Sequence, residues 1–189
     1  ITSAHHAWMD RDCHFIFGDV CTALVIERAD LATSANRWEV LGTRLATQFS
    51  NNIRNNAGFM SRSEDRNPED RDQLFMQEGR KVFKEVCPMA AEHIATQLET
   101  LGLTPARVRR FWLHQANLSM NQLIGKRLLG HEPSFDEAPV ILDEFANTAS
   151  AGSIIAFHRH SQDLQAGDVG VICSFGAGYS IGSLVVRKQ

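Results

Sequence analysis

Several features that would classify this chain at a glance are missing. Its four cysteines (Cys13, Cys21, Cys87 and Cys173) are far apart and form no CxxC pair. That argues against a zinc site or a disulfide framework and fits a reducing cytoplasm. No apolar run reaches the roughly 18 residues that a membrane span requires, so none is expected. Neither sign of charge dominates: the net charge is -3, which excludes the strongly basic surface expected of a nucleic-acid or anionic-membrane binder. There is no internal repeat, no low-complexity tract and no visible signal peptide, although the chain opens on Ile1 rather than Met. No cysteine sits at an evident strand-to-helix elbow. Cys173 lies in a β-branched run and Cys87 beside an apolar helix stripe, so both read as inert core.

What is present is an ordinary globular composition, 189 residues with 43% hydrophobic and 22% charged, enough for one domain with a full core. Two short apolar runs, 14–17 and 20–27, flank Gly18-Asp19 and suggest a hairpin or a bent strand. Residues 38–49 alternate as a strand, and 51–72 read as a polar surface loop. Asn67-Pro68-Glu69-Asp70 is a helix-start signal. Phe75, Gly79, Val82, Val86, Ala90, Ile94 and Leu98 then repeat at helical spacing up to Gly102, with Pro88 expected to kink the helix. Residues 110–114 form a buried strand, 117–129 a helix ended by Gly130, 139–142 a short extended segment, and 149–162 a helix entered from a polar turn. Residues 169–173 and 181–186 are β-branched runs joined by a glycine-rich turn, hence antiparallel neighbours. Strands alternate with helices, so the class is α/β.

The chain is organised around Phe111-Trp112-Leu113-His114-Gln115-Ala116-Asn117, which delivers a histidine to the carboxyl end of a buried strand. That edge of an α/β sheet is where ligands bind. Alone, such a histidine is most simply a satisfied core residue. Asn147 and the turn Gly176-Ala177-Gly178 also lie at strand or helix ends, so all three can meet at one edge. A neutral imidazole and a carboxamide are two uncharged donors able to stabilise an enolate, each worth about 3–4 kcal/mol when preorganised. A Gly-Ala-Gly turn can offer backbone N–H groups to a second oxyanion. His158-Arg159-His160 does not place its histidines on one helix face, and His5-His6 lacks a carboxylate partner, so no metal site is expected.

These stretches resemble the C-terminal half of the β-ketoacyl-ACP synthase III family, within the thiolase-like superfamily. His114-Gln115-Ala116-Asn117-Leu118 resembles its HQANL, and Asn147-Thr148-Ala149-Ser150-Ala151 its NTSAA. Phe175-Gly176-Ala177-Gly178-Tyr179-Ser180-Ile181-Gly182 is similar to FGGGFTWG, and Phe15-Ile16-Phe17-Gly18-Asp19 to the start of IFGDGAGA. Asn67-Pro68-Glu69 and Gly79-Arg80-Lys81-Val82-Phe83-Lys84 follow the family's order.

The resemblance implies a thiolase-like α/β fold with a mixed five-stranded sheet and helices on both faces. It assigns 1–50 partly to the end of an N-terminal half, 51–72 to a surface loop and 73–189 to the core of the C-terminal half. It implies an acyltransferase, cytoplasmic and homodimeric, that condenses an acyl-CoA starter with malonyl-ACP by decarboxylation and needs no cofactor. His114 and Asn147 would hold the malonyl thioester carbonyl, and the Ala177 N–H would serve the acyl oxyanion. Asn117, Gly79, Arg80, Gly176 and Gly178 would line the pantetheine path. Gln115, Ala116, Leu118, Ser119, Lys84, Lys126 and Arg127 would meet the acidic acyl carrier protein. The nucleophilic cysteine is expected in an N-terminal half, outside this chain. A solitary half would expose the apolar surface its partner covers, so the chain is expected to be part of a longer enzyme or of a two-piece one.

The departures from the pattern are Ser119 where the family is basic, Arg80 for asparagine, the bulkier Val20-Cys21 after Gly18-Asp19, Ala177 for glycine and Ile181 for tryptophan. They fall where acyl preference is set, so the starter need not be acetyl. The charged run 63–71 reads as a solvated loop, or as a flap over a CoA channel. A non-decarboxylating relative of the HMG-CoA synthase type and a non-catalytic partner half are the alternative functions.

Overall fold

The structure is a computed structural model that describes residues 7–54 and 74–189. His5-His6, the helix-start signal 67–70, the charged run 63–71 and most of the 51–72 loop lie outside the described residues.

One mixed sheet organises the chain. Its strands are β1 (Trp38–Thr47), β4 (Arg110–Leu113), β5 (Val169–Gly176) and β6 (Ser180–Lys188), in the order β1-β6-β5-β4. β4 and β5 run parallel, while β5–β6 and β6–β1 are antiparallel. A separate two-residue pair joins β2 (Ile53–Arg54) to β3 (Met76–Gln77). The helices are α1 (Gly79–Thr100), α2 (Leu118–Leu129), the single turn α3 (Leu142–Phe145) and α4 (Ala151–Arg159).

Helices cover both sheet faces, because the central strands are apolar on both sides. Phe111, Leu113, Val171, Cys173, Ile181 and Val185 point toward α1 and α2, which contribute Val82, Val86, Ala90, Ile94, Leu98 and Ile124. Trp112, Ile172 and Val186 point the other way, toward Ile155 and Ala156 of α4. Each fully buried large aliphatic side chain contributes about 1.5–3 kcal/mol. α1 starts at Gly79 and continues unbroken through Pro88. It ends where Gly102 adopts φ +66°, with Gly102 N–H on Glu99 O (3.0 Å) and Leu103 N–H on Leu98 O (2.9 Å). That is the left-handed close that glycine permits.

Among the described residues the sheet has four strands, one fewer than the resemblance implies. Residues 139–142 run beside the end of β4 but join no ladder. Pro139 has no N–H to give, and one side chain takes over the remaining bonds. Gln115 Nε2 donates to Pro139 O (3.3 Å) and Leu113 O (2.9 Å), and Ile141 N–H donates to Gln115 Oε1 (3.1 Å). Here the carboxamide stands in for a strand's peptide group. The hairpin suggested for 14–27 does not form either. Phe17 makes a single parallel bridge with Asn147, and residues 18–28 enter no ladder. Along this segment and β1, Met9, Phe15, Val25, Ile26, Leu45 and Phe49 are at least 70% exposed.

Candidate active site

The parallel pairing of β4 and β5 sets up the site. Leu113 is in register with Cys173, so His114 leaves the sheet beside Ser174-Phe175-Gly176, the last residues of β5, at the same carboxyl edge. The His114 ring lies against Phe175, with centroids 4.4 Å apart. His114 is 5% exposed, and its Nδ1 is buried without a protein partner. Burial disfavours the imidazolium and pulls the pKa down to about 4. At neutral pH the ring is uncharged and carries one N–H.

Asn147 arrives from the other side, between two left-handed residues, Ala146 (φ +54°) and Ala149 (φ +49°). Its backbone is clamped from both sides: Asn147 N–H donates to Ile16 O (3.0 Å), and Gly18 N–H donates to Asn147 O (3.1 Å). Its Oδ1 accepts the Ala149 N–H at 2.9 Å. The oxygen is thus committed to the turn, and what the side chain has left to offer is its NH₂. A Cβ on Gly152 would lie 2.9 Å from Gln115 Cβ and 3.2 Å from Thr148 Oγ1. The first turn of α4 therefore packs directly on the residue after His114, which carries the Asn147 loop against the His114 loop.

The third part is the turn between β5 and β6. Gly178 (φ +70°) and Tyr179 (φ +52°) are consecutive left-handed residues just after Ala177. His114 thus lies against the end of β5 that leads into residues 176–178, and the helix that follows Asn147 packs on Gln115 and reaches β5 through the Ser153–Ser174 hydrogen bond. Two neutral donors and a backbone N–H at such an edge can hold a carbonyl oxygen as it gains charge.

The other expected site residues divide. Asn117 caps α2, its Oδ1 accepting the Met120 N–H at 2.9 Å. Asn117, Leu118, Ser119, Lys84, Lys126 and Arg127 are exposed, and Ala116 is half-buried. Lys126 pairs with Glu132 at 2.6 Å. Gly79 and Arg80 lie exposed in the first turn of α1, which packs on α2 and the sheet. Gln115 is fully buried, its amide used inside the fold. It cannot face a docking protein, so its expected role as a carrier contact is corrected to that of an internal brace. Burial pushes the Cys87 thiol up to about 11, and the Cys173 thiol up to about 12. Neither supplies a thiolate at neutral pH. Among the described residues no group of three His, Cys, Asp or Glu side chains could hold a metal ion. The His160 carbonyl accepts from Arg110 and Trp112, and its ring packs on Phe135.

Two contributors had no assigned role in the sequence: Phe175, the wall behind His114, and Gly18, which holds Asn147. Both lay inside recognised motifs, but a motif does not state what its members touch.

Known proteins resemble the chain over essentially its whole length. Residues 98–188 match the family model described as 3-oxoacyl-[acyl-carrier-protein] synthase III C terminal. Over all 189 residues the chain is 58% identical to a beta-ketodecanoyl-[acyl-carrier-protein] synthase of Pseudomonas aeruginosa, of which it covers 54%. Over 196 aligned residues it is 30% identical to a beta-ketoacyl-[acyl-carrier-protein] synthase III of Desulfotalea psychrophila, covering 98% of this chain and 56% of that one. The crystal structure of 3-oxoacyl-[acyl-carrier-protein] synthase III from Aquifex aeolicus superposes with a TM-score of 0.72 at 22% identity, covering 96% of this chain and 53% of that one. The fold is therefore thiolase-like. The chain spans about half the length of the curated relatives it matches.

Proposed function

We propose, for a chain that belongs to the β-ketoacyl-ACP synthase III family as its C-terminal half, that it supplies the decarboxylating half of an acyl-condensing active site. The observation that supports this reading is a buried, uncharged His114 whose neighbour Gln115 packs against the helix start that follows Asn147. In the first step a cysteine outside this chain attacks an acyl-CoA, and CoA leaves as the thiol. The Ala177 N–H holds the thioester oxygen while it bears charge. Malonyl-ACP then enters, and its thioester carbonyl accepts from His114 and Asn147. The C–CO₂ bond breaks, the electron pair becomes an enolate on that oxygen, and CO₂ departs. The enolate carbon attacks the acyl-cysteine, a C–C bond forms, and the cysteine leaves as thiolate. The product is a β-ketoacyl-ACP. A neutral His114 suits this role, because an imidazolium would give up its proton to the enolate rather than hold it.

The beta-ketodecanoyl name of the 58% identical relative describes a ten-carbon product. Condensation adds two carbons from malonate, so the starter we assign is an eight-carbon acyl-CoA. Asn117, Gly176 and Gly178 line the pantetheine path, with Gly79 and Arg80 at its mouth. Leu118, Ser119, Lys84, Lys126 and Arg127 receive the acidic carrier protein. We assign 74–189 to the core of this half and part of 1–50 to the N-terminal half. The enzyme works as a cytoplasmic homodimer without a cofactor.

The test is His114→Ala in the full-length protein, with malonyl-ACP decarboxylation measured in the absence of any acyl-CoA. Loss of one such donor costs about 10²–10³ in rate. An unchanged rate would leave a non-catalytic partner half as the better reading.

A further inference from the structure

We infer that Tyr179 is a positioning residue for the turn that presents the Ala177 N–H, acting through a hydrogen-bonded cluster with Glu85 and Asn52. This rests on the role proposed above for Ala177. Tyr179 is the single tyrosine of the chain, and it follows directly on that turn. The turn has little packing of its own. A Cβ added at Gly176 or at Gly178 would meet nothing within 4 Å. Its backbone also carries a cost, since Tyr179 holds φ +52° next to Gly178 at +70°. The left-handed region is unfavourable for a residue with a side chain and persists only where the surroundings impose it. Something outside the turn must fix it, and Tyr179 is 2% exposed.

The phenol makes the connection. Its O–H donates to Glu85 Oε2 at 2.7 Å and accepts from Asn52 Nδ2 at 3.1 Å. Asn52 Nδ2 also donates to the same Glu85 oxygen, at 3.0 Å. Three pieces of chain meet here: the turn, helix α1 through Glu85, and the β1–β2 connection through Asn52. The backbone reinforces the join, with Gln48 N–H on Tyr179 O (3.1 Å) and Glu78 N–H on Asn52 O (2.8 Å). Burial, supported by the Glu85 carboxylate and opposed by the Asn52 amide, keeps the phenol above its ordinary pKa, so it stays a donor. A phenylalanine would fill the same volume. Only the hydroxyl reaches the carboxylate, so the hydroxyl accounts for the tie between an otherwise loose turn and the long helix.

The experiment uses the full-length protein and reads two half-reactions separately: acylation of the catalytic cysteine by octanoyl-CoA, followed by intact mass, and malonyl-ACP decarboxylation without acyl-CoA. Tyr179→Phe is expected to slow acylation about 10- to 100-fold, as a small misplacement of a catalytic group does, with KM for octanoyl-CoA unchanged. Decarboxylation, which depends on His114 and Asn147, should stay within about two-fold, since those donors do not sit on the turn. Glu85→Gln, an exposed substitution that keeps an acceptor, should give a smaller loss in the same step, and it carries the test should Tyr179→Phe fold poorly. The double variant should be no slower than Tyr179→Phe, because the two groups act as one unit. Acylation at the parent rate would overturn the inference, as would equal losses in both half-reactions. A parent protein that is not acylated at all would instead remove the reading of the site itself.

Discussion

His114 is uncharged at neutral pH because it is buried, and that burial carries a pH signature. Its folded pKa of about 4 lies below the ordinary 6.5. The folded state therefore binds fewer protons than the unfolded chain between those values. The contribution is complete above pH 6.5 and is lost as pH falls toward 4, where it levels off. From the size of the shift the loss is about 3 kcal/mol. Urea unfolding across pH 4–7 should show that slope, and His114→Gln should flatten it. Gly18 tests the other donor. A Cβ there would sit 2.4 Å from the Phe145 carbonyl oxygen, so Gly18→Ala must push the segment carrying Asn147 outward. We expect about 1–3 kcal/mol of destabilisation, as for other overpacked sites, together with slower malonyl decarboxylation. His114, Asn147 and the glycine turn were legible in the sequence because each ends an element at a recognisable motif. The direction in which Gln115 faces was not, because neighbours in a motif point to opposite sides of the chain.

At the scale of elements, the best-read pieces were those whose local chemistry and packing agree. α2 has Asn117 as its cap and Gly130, at φ +80°, as its stop. β5 and β6 are β-branched and pair as expected. Residues 139–142 stay outside the sheet because their pairing partner is a side chain, which no periodicity records. Gln115→Leu keeps the volume and leaves Pro139 O, Leu113 O and Ile141 N–H without that partner. A loss of about 2–4 kcal/mol is expected in a denaturant titration, the usual scale for stranded buried polar groups. Because Gln115 is fully buried, the variant's KM for the carrier protein should not change. A raised KM would restore Gln115 to the docking surface. The hairpin or bent strand suggested at 14–27 fails for a different reason: Phe15, Leu24, Val25 and Ile26 are exposed while Phe17 and Val20 pack inward singly, so the stretch has no continuous inner face.

For the molecule as a whole, most of the exposed large apolar side chains among the described residues fall between residues 8 and 49 of the sequence. Met9, Val25, Ile26, Leu45 and Phe49 are 97%, 92%, 78%, 85% and 80% exposed. Exposed apolar surface of this kind drives association. Purified alone, the 189-residue chain should elute as an oligomer and bind a hydrophobic dye, and adding an N-terminal half of the family in trans should suppress both. A monodisperse monomer that binds no dye would show that this surface is harmless.

The β1–β6 ladder also sets a schedule. Thr47 and Ser180, which pair across it, are 133 residues apart. At about 5–20 residues per second of synthesis, β1 leaves the ribosome roughly 7–27 seconds before its partner exists. During that interval a ten-residue strand waits with its backbone groups unmatched, a natural client for a chaperone. The turn between β5 and β6, for which the oxyanion role is proposed, is translated immediately before that partner strand, so it too is absent throughout the wait.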